Sequence, residues 1–294
     1  MKQKISLKSY LLKKYSSTSI RSYENMINRF KTTMGEGVDQ LSYTEVLDYI
    51  GILREQNLHP KSLRNNLFAV KIYYNYLLEV GKRKDHPCRY LNLKDQINRQ
   101  VQIESLYTKE LLEKLYQDHE SPNEIHRNRE KIIISLLIYQ ALTVLEISQV
   151  KKEEVDVNAG TIRIRANKKN KERTLSLKPN QILLFHNYLK NDWKKYRRKQ
   201  RSGKRFDYFV LSNEGKQIWK SGINRMINRG KLKHEKVTPL KIRQSVIAHL
   251  LKEKNDVRIV QEFAGHRRTA STEAYKQTGL EELKMAIEKL HPLQ

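Results

Sequence analysis

Three side chains of unlike chemistry stand at fixed intervals near the end of the chain: Arg243, then His266, then Tyr275 nine residues beyond that histidine. Arg243 lies within Thr238-Pro239-Leu240-Lys241-Ile242-Arg243-Gln244-Ser245, and His266 follows Gly265. An arginine is a fixed, permanently charged fork for a phosphate diester. A histidine donates a hydrogen bond to a non-bridging oxygen or exchanges a proton near neutrality. A tyrosine hydroxyl attacks phosphorus once its developing phenolate is supported. Each is weak evidence alone; their spacing is the constraint that the rest of the chain has to satisfy.

The remaining composition agrees with a phosphate-bearing partner. A formal net charge of +26 over 294 residues repels itself unless a polyanion is near, so nucleic acid or an acidic membrane surface is implied. The length suits two domains. No apolar run approaches the roughly twenty residues of a membrane span, and Met1-Lys2-Gln3-Lys4-Ile5-Ser6 leads into no apolar signal region. The single cysteine, Cys88, excludes an internal disulfide and a multi-cysteine zinc site, and is expected to be a buried thiol. The expectation is a cytoplasmic, polyanion-binding protein.

Residues 1–15 are basic and read as a loose lead-in. From Ser17, apolar residues at three- and four-residue steps (Ile20, Tyr23, Met26, Ile27, Phe30) predict a helix that Gly35 and Gly37 break. A second helix is predicted from Ser42 to about Gln56, opened by a Ser42/Glu45 capping box. A third runs from Pro60 to Val80 with Gly81 as its stop. Residues from about Asp85 to Glu104 break the period and read as an extended linker.

Thr108 caps a further predicted helix to Gln117, and Asn128 to Leu142 is apolar enough to be a core helix. Val155 to Arg165 reads as strand, turn and strand, and Glu172 to Leu177 returns after Asn167-Lys168-Lys169-Asn170-Lys171. Residues 179–200 predict a basic helix whose end, Lys194 to Arg201, is the densest charge run, with Trp193 and Tyr196 interleaved. A phosphate-tracking surface is expected there. Phe206 to Ser212 fits a short buried strand, and Ile218 to Arg229 another helix.

The register of Arg243, His266 and Tyr275, with Ala248-His249-Leu250-Leu251 between them, resembles the C-terminal signature of the tyrosine recombinases, the integrase and Xer-type DNA strand-exchange enzymes. The resemblance implies a mainly α fold with a small β-sheet: a helical SAM-like core-binding domain (1–90), a linker (91–105) and an α+β catalytic domain (106–294). It implies Tyr275 as nucleophile, Arg243 and His266 on the scissile phosphate, and a lysine of the β-hairpin turn as general acid. That lysine is Lys168, with Lys169 the near alternative and a flexible basic turn touching backbone phosphates the bland one. Ser62, Arg64, Asn65 and Lys71 of the third helix are expected to contact DNA. So are Lys169, Lys171, Lys241, Lys194, Arg197 and Arg198. No cofactor or metal is implied.

Two family positions are altered. Ala141-Leu142-Thr143-Val144-Leu145-Glu146 resembles the family's Gly-Leu-Arg-x-x-Glu, so Thr143 replaces its first catalytic arginine and is expected to be a helix-start hydroxyl. Leu240 replaces a histidine. Arg163 and Arg165 share a strand face, and Arg165 is expected to supply the missing charge. Past Tyr275, Leu280, Leu283, Ile287 and Leu290 form an apolar stripe that either docks on a neighbouring protomer, giving a tetramer on two DNA sites, or packs on its own chain. An accessory DNA-bending protein is a possible partner of such an assembly. Two rival readings remain: a catalytically silent DNA-binding protein, for which Thr143 and Leu240 speak, and a metal-dependent nuclease using Asp156 with Glu146 or Glu153.

Overall fold

The computed structural model describes residues 5–96, 105–200 and 206–275. The chain divides into two compact units, Met1–Asn98 and Arg99–Gln294.

The first unit is helical. The predicted lead-in contains a helix, α1 (Leu7–Lys14), because Ser6 caps it and Tyr10 and Leu11 give it a buried edge. It is followed by α2 (Ser17–Met34), α3 (Tyr43–Glu55) and α4 (Pro60–Glu79). Ser42 and Glu45 form the predicted capping box on α3, an arrangement that contributes about 1 kcal/mol. Pro60 opens α4 where no backbone N–H is needed, and Gly81 turns the chain away at φ +74°. Phe30 of α2, Tyr49 of α3 and Tyr73 and Tyr74 of α4 pack as one aromatic cluster. The stretch expected to run extended from Asp85 instead packs on this unit as far as Asp95. Cys88 and Leu91 are buried, and Arg54 holds the Asp95 carboxylate at 2.8 Å. Burial raises the Cys88 thiol to about 11, so it is the inert thiol expected.

The second unit is built on α6 (Glu124–Ile138), which α5 (Lys109–Gln117) precedes. Ile132, Ile133, Ile134, Leu136 and Leu137 of α6 are all fully buried, as is Ser135 between them, so the helix is covered on every side over this stretch. The chain then turns through Ala141 at φ +49° into α7 (Val144–Gln149). A three-stranded antiparallel sheet follows: β1 (Val155–Asp156), β2 (Thr161–Ile164) and β3 (Arg173–Ser176), in the order β1-β2-β3. Its register sets Ile162 opposite Leu175 and Ile164 opposite Arg173. The predicted basic helix is α8 (Pro179–Asn187), a π turn (Tyr188–Asp192) and α9 (Trp193–Arg198). Trp193 and Tyr196 are buried rather than interleaved with surface charge; the Trp193 indole donates to the Tyr208 carbonyl at 2.9 Å. Phe206 to Ser212 makes isolated bridges, Lys151 with Tyr208 and Leu211 with Gln217, in place of a strand. The unit continues with α10 (Lys220–Ile227), α11 (Pro239–Lys252), α12 (Val257–Ala264) and α13 (Ala270–Glu273). The apolar stripe from Leu280 to Leu290 lies outside the described residues.

Candidate active site

Helix α11 starts at Pro239 with the Thr238 hydroxyl accepting from Lys241 N–H, which places Arg243 just past its first turn and facing inward. Arg243 is 5 % exposed. One of its terminal nitrogens donates to the Ala141 carbonyl and the other to the Ala264 carbonyl, both at 2.5 Å. The guanidinium therefore spans the α6–α7 turn and the end of α12.

Helix α12 ends at Gly265, whose left-handed conformation (φ +69°) lets the chain reverse and presents His266. The His266 Nδ1 pairs with the Thr272 hydroxyl on α13 at 2.9 Å, leaving Nε2 as its other ring nitrogen. The Tyr275 ring lies nearly parallel to that imidazole, 6.3 Å between centroids. Thus the three residues singled out by spacing converge. Burial, then the charges of Arg243 and Arg173, push the His266 imidazole down to about 4, so it is neutral near pH 7. Burial raises the Tyr275 phenol, while hydrogen bonding to Gln244 and the Arg243 charge oppose that rise.

Beneath this cluster lies a buried carboxylate. Glu146 accepts from Thr143 N–H at 2.8 Å and from the Thr143 hydroxyl at 2.9 Å on one oxygen. On the other it accepts from Asn170 at 2.8 Å and Arg173 at 2.7 Å. Arg243 stands 4.0 Å from it. Burial would raise its carboxyl, yet Arg173, Thr143 N–H and Arg243 hold it below the ordinary value. Thr143 is thus the helix-start hydroxyl expected, capping α7.

The hairpin turn that carries Lys168 is tied to the histidine loop. Asn170 bridges His266, Lys171 N–H donates to the Gly265 carbonyl at 2.8 Å, and Arg267 donates to the Asn167 carbonyl at 2.7 Å. Lys168 and Lys169 are exposed on that turn, as is Lys171 just past it. Arg165 is elsewhere. It lies on the outer face of the strand leading to the turn, ion-paired with Glu154 and, at 2.9 Å, with Glu153. The second guanidinium in the cluster, beside that of Arg243, is Arg173, 6 % exposed, which sequence reasoning passed over. The signal for it was the alternation along residues 173–177: Leu175 and Leu177 face inward, and Arg173 shares their parity.

The carboxylates of the metal-nuclease reading have separate partners: Asp156 accepts from Ala159 N–H, Glu153 pairs with Arg165 and Glu146 with Arg173. Among the expected DNA contacts, Lys194 and Arg198 are exposed, whereas Arg197 stacks on Trp193 and pairs with Asp207. Lys241 lies over the Tyr107 ring. On α4, Asn65 is exposed and Ser62 half-buried, while Arg64 and Lys71 flank a cleft of about 370 Å³ beside Phe68. Arg64 also donates to the Asp95 carbonyl at 2.6 Å. Leu240 is 64 % exposed, one helical turn from Arg243. A larger cleft, about 710 Å³ between α5 and α10, is lined by none of Arg243, His266 and Tyr275.

Residues 105–281 match the sequence model of the Phage integrase family, and residues 4–81 that of the phage integrase N-terminal SAM-like domain. Among curated relatives, tyrosine recombinase XerD of Listeria innocua is 23 % identical over 286 residues, covering 94 % of this chain and 93 % of its own. Tyrosine recombinase XerC of Oceanobacillus iheyensis is 25 % identical over 288 residues, covering 95 % and 92 %. Of solved structures, the XerH site-specific recombinase bound to palindromic difH substrate aligns with a TM-score of 0.68 at 18 % identity, over 92 % of this chain and 79 % of that one. The Tn1549 transposon integrase in complex with circular intermediate DNA aligns at 0.64 and 13 % identity, over 97 % and 100 %. At these identities the structures speak for the fold.

Proposed function

This chain belongs to the phage integrase family, and from that premise we propose that it is a site-specific DNA recombinase, cutting and rejoining strands through a covalent 3′-phosphotyrosyl link. The observation that carries the reading is the convergence of Arg243, His266 and Tyr275 in one half-buried cluster, from three separate helices and turns.

Tyr275 Oη attacks the scissile phosphorus, the bond to the 5′ oxygen breaks, and Lys168 protonates that oxygen. The phenol gives up one proton and the 5′ oxygen gains one, so the count balances. Arg243 holds a non-bridging oxygen as negative charge gathers there. His266, neutral, donates to the phosphate from Nε2 while the Thr272 hydroxyl donates to Nδ1. Reversal by a partner strand's 5′ hydroxyl reseals the DNA, with the bond energy kept in the tyrosyl link. The basic face of α4 and the exposed Lys169, Lys171, Lys194 and Arg198 track DNA backbone. The working assembly is a tetramer on two sites, joined through the chain beyond Tyr275, with an accessory bending protein where the site requires one. A mobile element is the natural setting, and the cytoplasm the compartment.

The test is covalent trapping. A duplex that the protein selects from a randomised pool is nicked at successive central positions and incubated with it in EDTA. A protein–DNA adduct on a denaturing gel, lost in Tyr275→Phe, is expected. Tight, specific binding with no adduct from the native chain would leave the silent DNA-binding reading in its place.

A further inference from the structure

Thr143 stands where the resemblance calls for a cationic phosphate ligand, and its hydroxyl is committed to Glu146. We propose that Arg173 supplies the second guanidinium on the scissile phosphate, from the opposite side of that same carboxylate. The assignment deepens the recombinase reading and rests on it.

Four observations lead there. First, Arg173 and Thr143 bind the two oxygens of one carboxylate, at 2.7 Å and 2.9 Å, so the Arg173 head group lies within a few ångströms of the side chain at position 143. Second, Arg173 uses only one nitrogen on Glu146; its Nε and other terminal nitrogen are buried with no hydrogen-bond partner among the described residues. Buried guanidinium N–H groups are rarely left without an acceptor, and phosphate oxygens are the acceptors they fit. Third, the local charge is unbalanced. Arg173 and Arg243 are both buried cations, Glu146 is the carboxylate they share, and a neutral His266 adds nothing, leaving one positive charge in excess. Such a cluster favours an anion. Fourth, room has been made for this side chain: a Cβ on Gly265, the residue before His266, would fall 2.5 Å from an Arg173 terminal nitrogen.

Arg165 fits none of these conditions. It lies on the outer face of the hairpin, neutralised by Glu153 and Glu154. Arg173 lies on the inner face because it pairs with Ile164 across β2–β3. A single step in strand parity separates a solvated ion pair from a phosphate ligand.

The experiment uses the full chain and the selected, nicked duplex in two forms, with an ordinary scissile phosphate and with a methylphosphonate there. The methyl group removes the charge a guanidinium would balance. On phosphate, Arg173→Gln should slow adduct formation about 10²- to 10³-fold, the usual effect of losing one donor to a developing oxyanion, while Arg165→Ala stays within a few-fold of native. On methylphosphonate the Arg173→Gln deficit should shrink to about tenfold or less, which a merely structural role would not produce. Adding Thr143→Arg to Arg173→Gln returns a guanidinium beside Glu146 and should recover most of the lost rate. This double variant also decides the matter if Arg173→Gln folds poorly. A native adduct with Arg173→Gln at full rate, or with the same deficit on both substrates and no recovery by Thr143→Arg, overturns the role of Arg173 and leaves the recombinase reading standing. No adduct from the native chain on either substrate overturns both.

Discussion

Glu146→Gln removes one negative charge and almost no volume, and its cost comes from the contacts of that carboxylate. The side chain is 1 % exposed and is the shared counter-charge of Arg173 and Arg243. Glutamine can still accept from Arg173 and Asn170, but its amide nitrogen then confronts Thr143 N–H, so the side-chain half of the α7 capping box is lost as well. Breaking a buried pair by neutralising one member costs about 3–5 kcal/mol, because the other is left buried and uncompensated; the cap adds about 1 kcal/mol. A loss of about 4–6 kcal/mol in the unfolding free energy of the second unit is therefore expected. Both tryptophans, Trp193 and Trp219, lie in that unit, so urea denaturation followed by their fluorescence reports it alone. The double variant Glu146→Gln/Arg173→Gln should lose clearly less than the sum of its parts, since the stranded cation is gone. The native advantage over Glu146→Gln is also pH-dependent. The Glu146 carboxyl is held below its ordinary 4.5 in the folded chain, so its contribution is present above that value and is lost as pH falls through the lower folded one. A loss under about 1 kcal/mol at pH 7, or strict additivity in the cycle, would refute the shared counter-charge.

Two further predictions rest on the same cluster. Gly265→Ala combines left-handed strain of about 1–2 kcal/mol with displacement of Arg173 from Glu146; urea denaturation should show a loss of at least about 2 kcal/mol, and a change within about 0.5 kcal/mol would contradict the close approach. His266, with a folded value of about 4 against an ordinary 6.5, favours folding above pH 6.5 and loses that contribution as pH falls toward 4, about 1–2 kcal/mol for a half-buried ring. Its imidazole NMR resonance should titrate near 4, and a midpoint above 6 would show that it is not neutral in the working site.

Much of this was legible before any coordinates, for identifiable reasons. Ser42, Thr108 and Pro60 announce helix starts by local chemistry that tertiary structure leaves intact. The spacing of Arg243, His266 and Tyr275 survives because a glycine-ended helix and one short turn set it. What failed was what depends on packing from afar. Residues 7–14 look like a basic arm until the rest of the unit buries Tyr10 and Leu11. Trp193 and Tyr196 look like surface aromatics in a charge run, because only the fold reveals which side of α9 is covered. The expectation for Arg165 rests on the face it shares with Arg163 on the strand entering the turn, and it gives no weight to Arg173 on the returning strand. The alternation of Arg173 with Leu175 and Leu177 marks it as the inward-facing arginine of the hairpin.

The ties between the Asn167–Lys171 turn and the Gly265–Arg267 loop have a consequence for timing. A lysine on a free turn would sample many positions, and its encounter with a leaving oxygen would be a separate, diffusive event. Here the turn and the histidine loop share backbone hydrogen bonds, so they behave as one mechanical part. Peeling the turn away would move Lys168, the proposed acid, and pull at His266 together; seating it would bring both back. On the proposed mechanism, the turn lysine and the histidine would then enter or leave the site together rather than as two independent events.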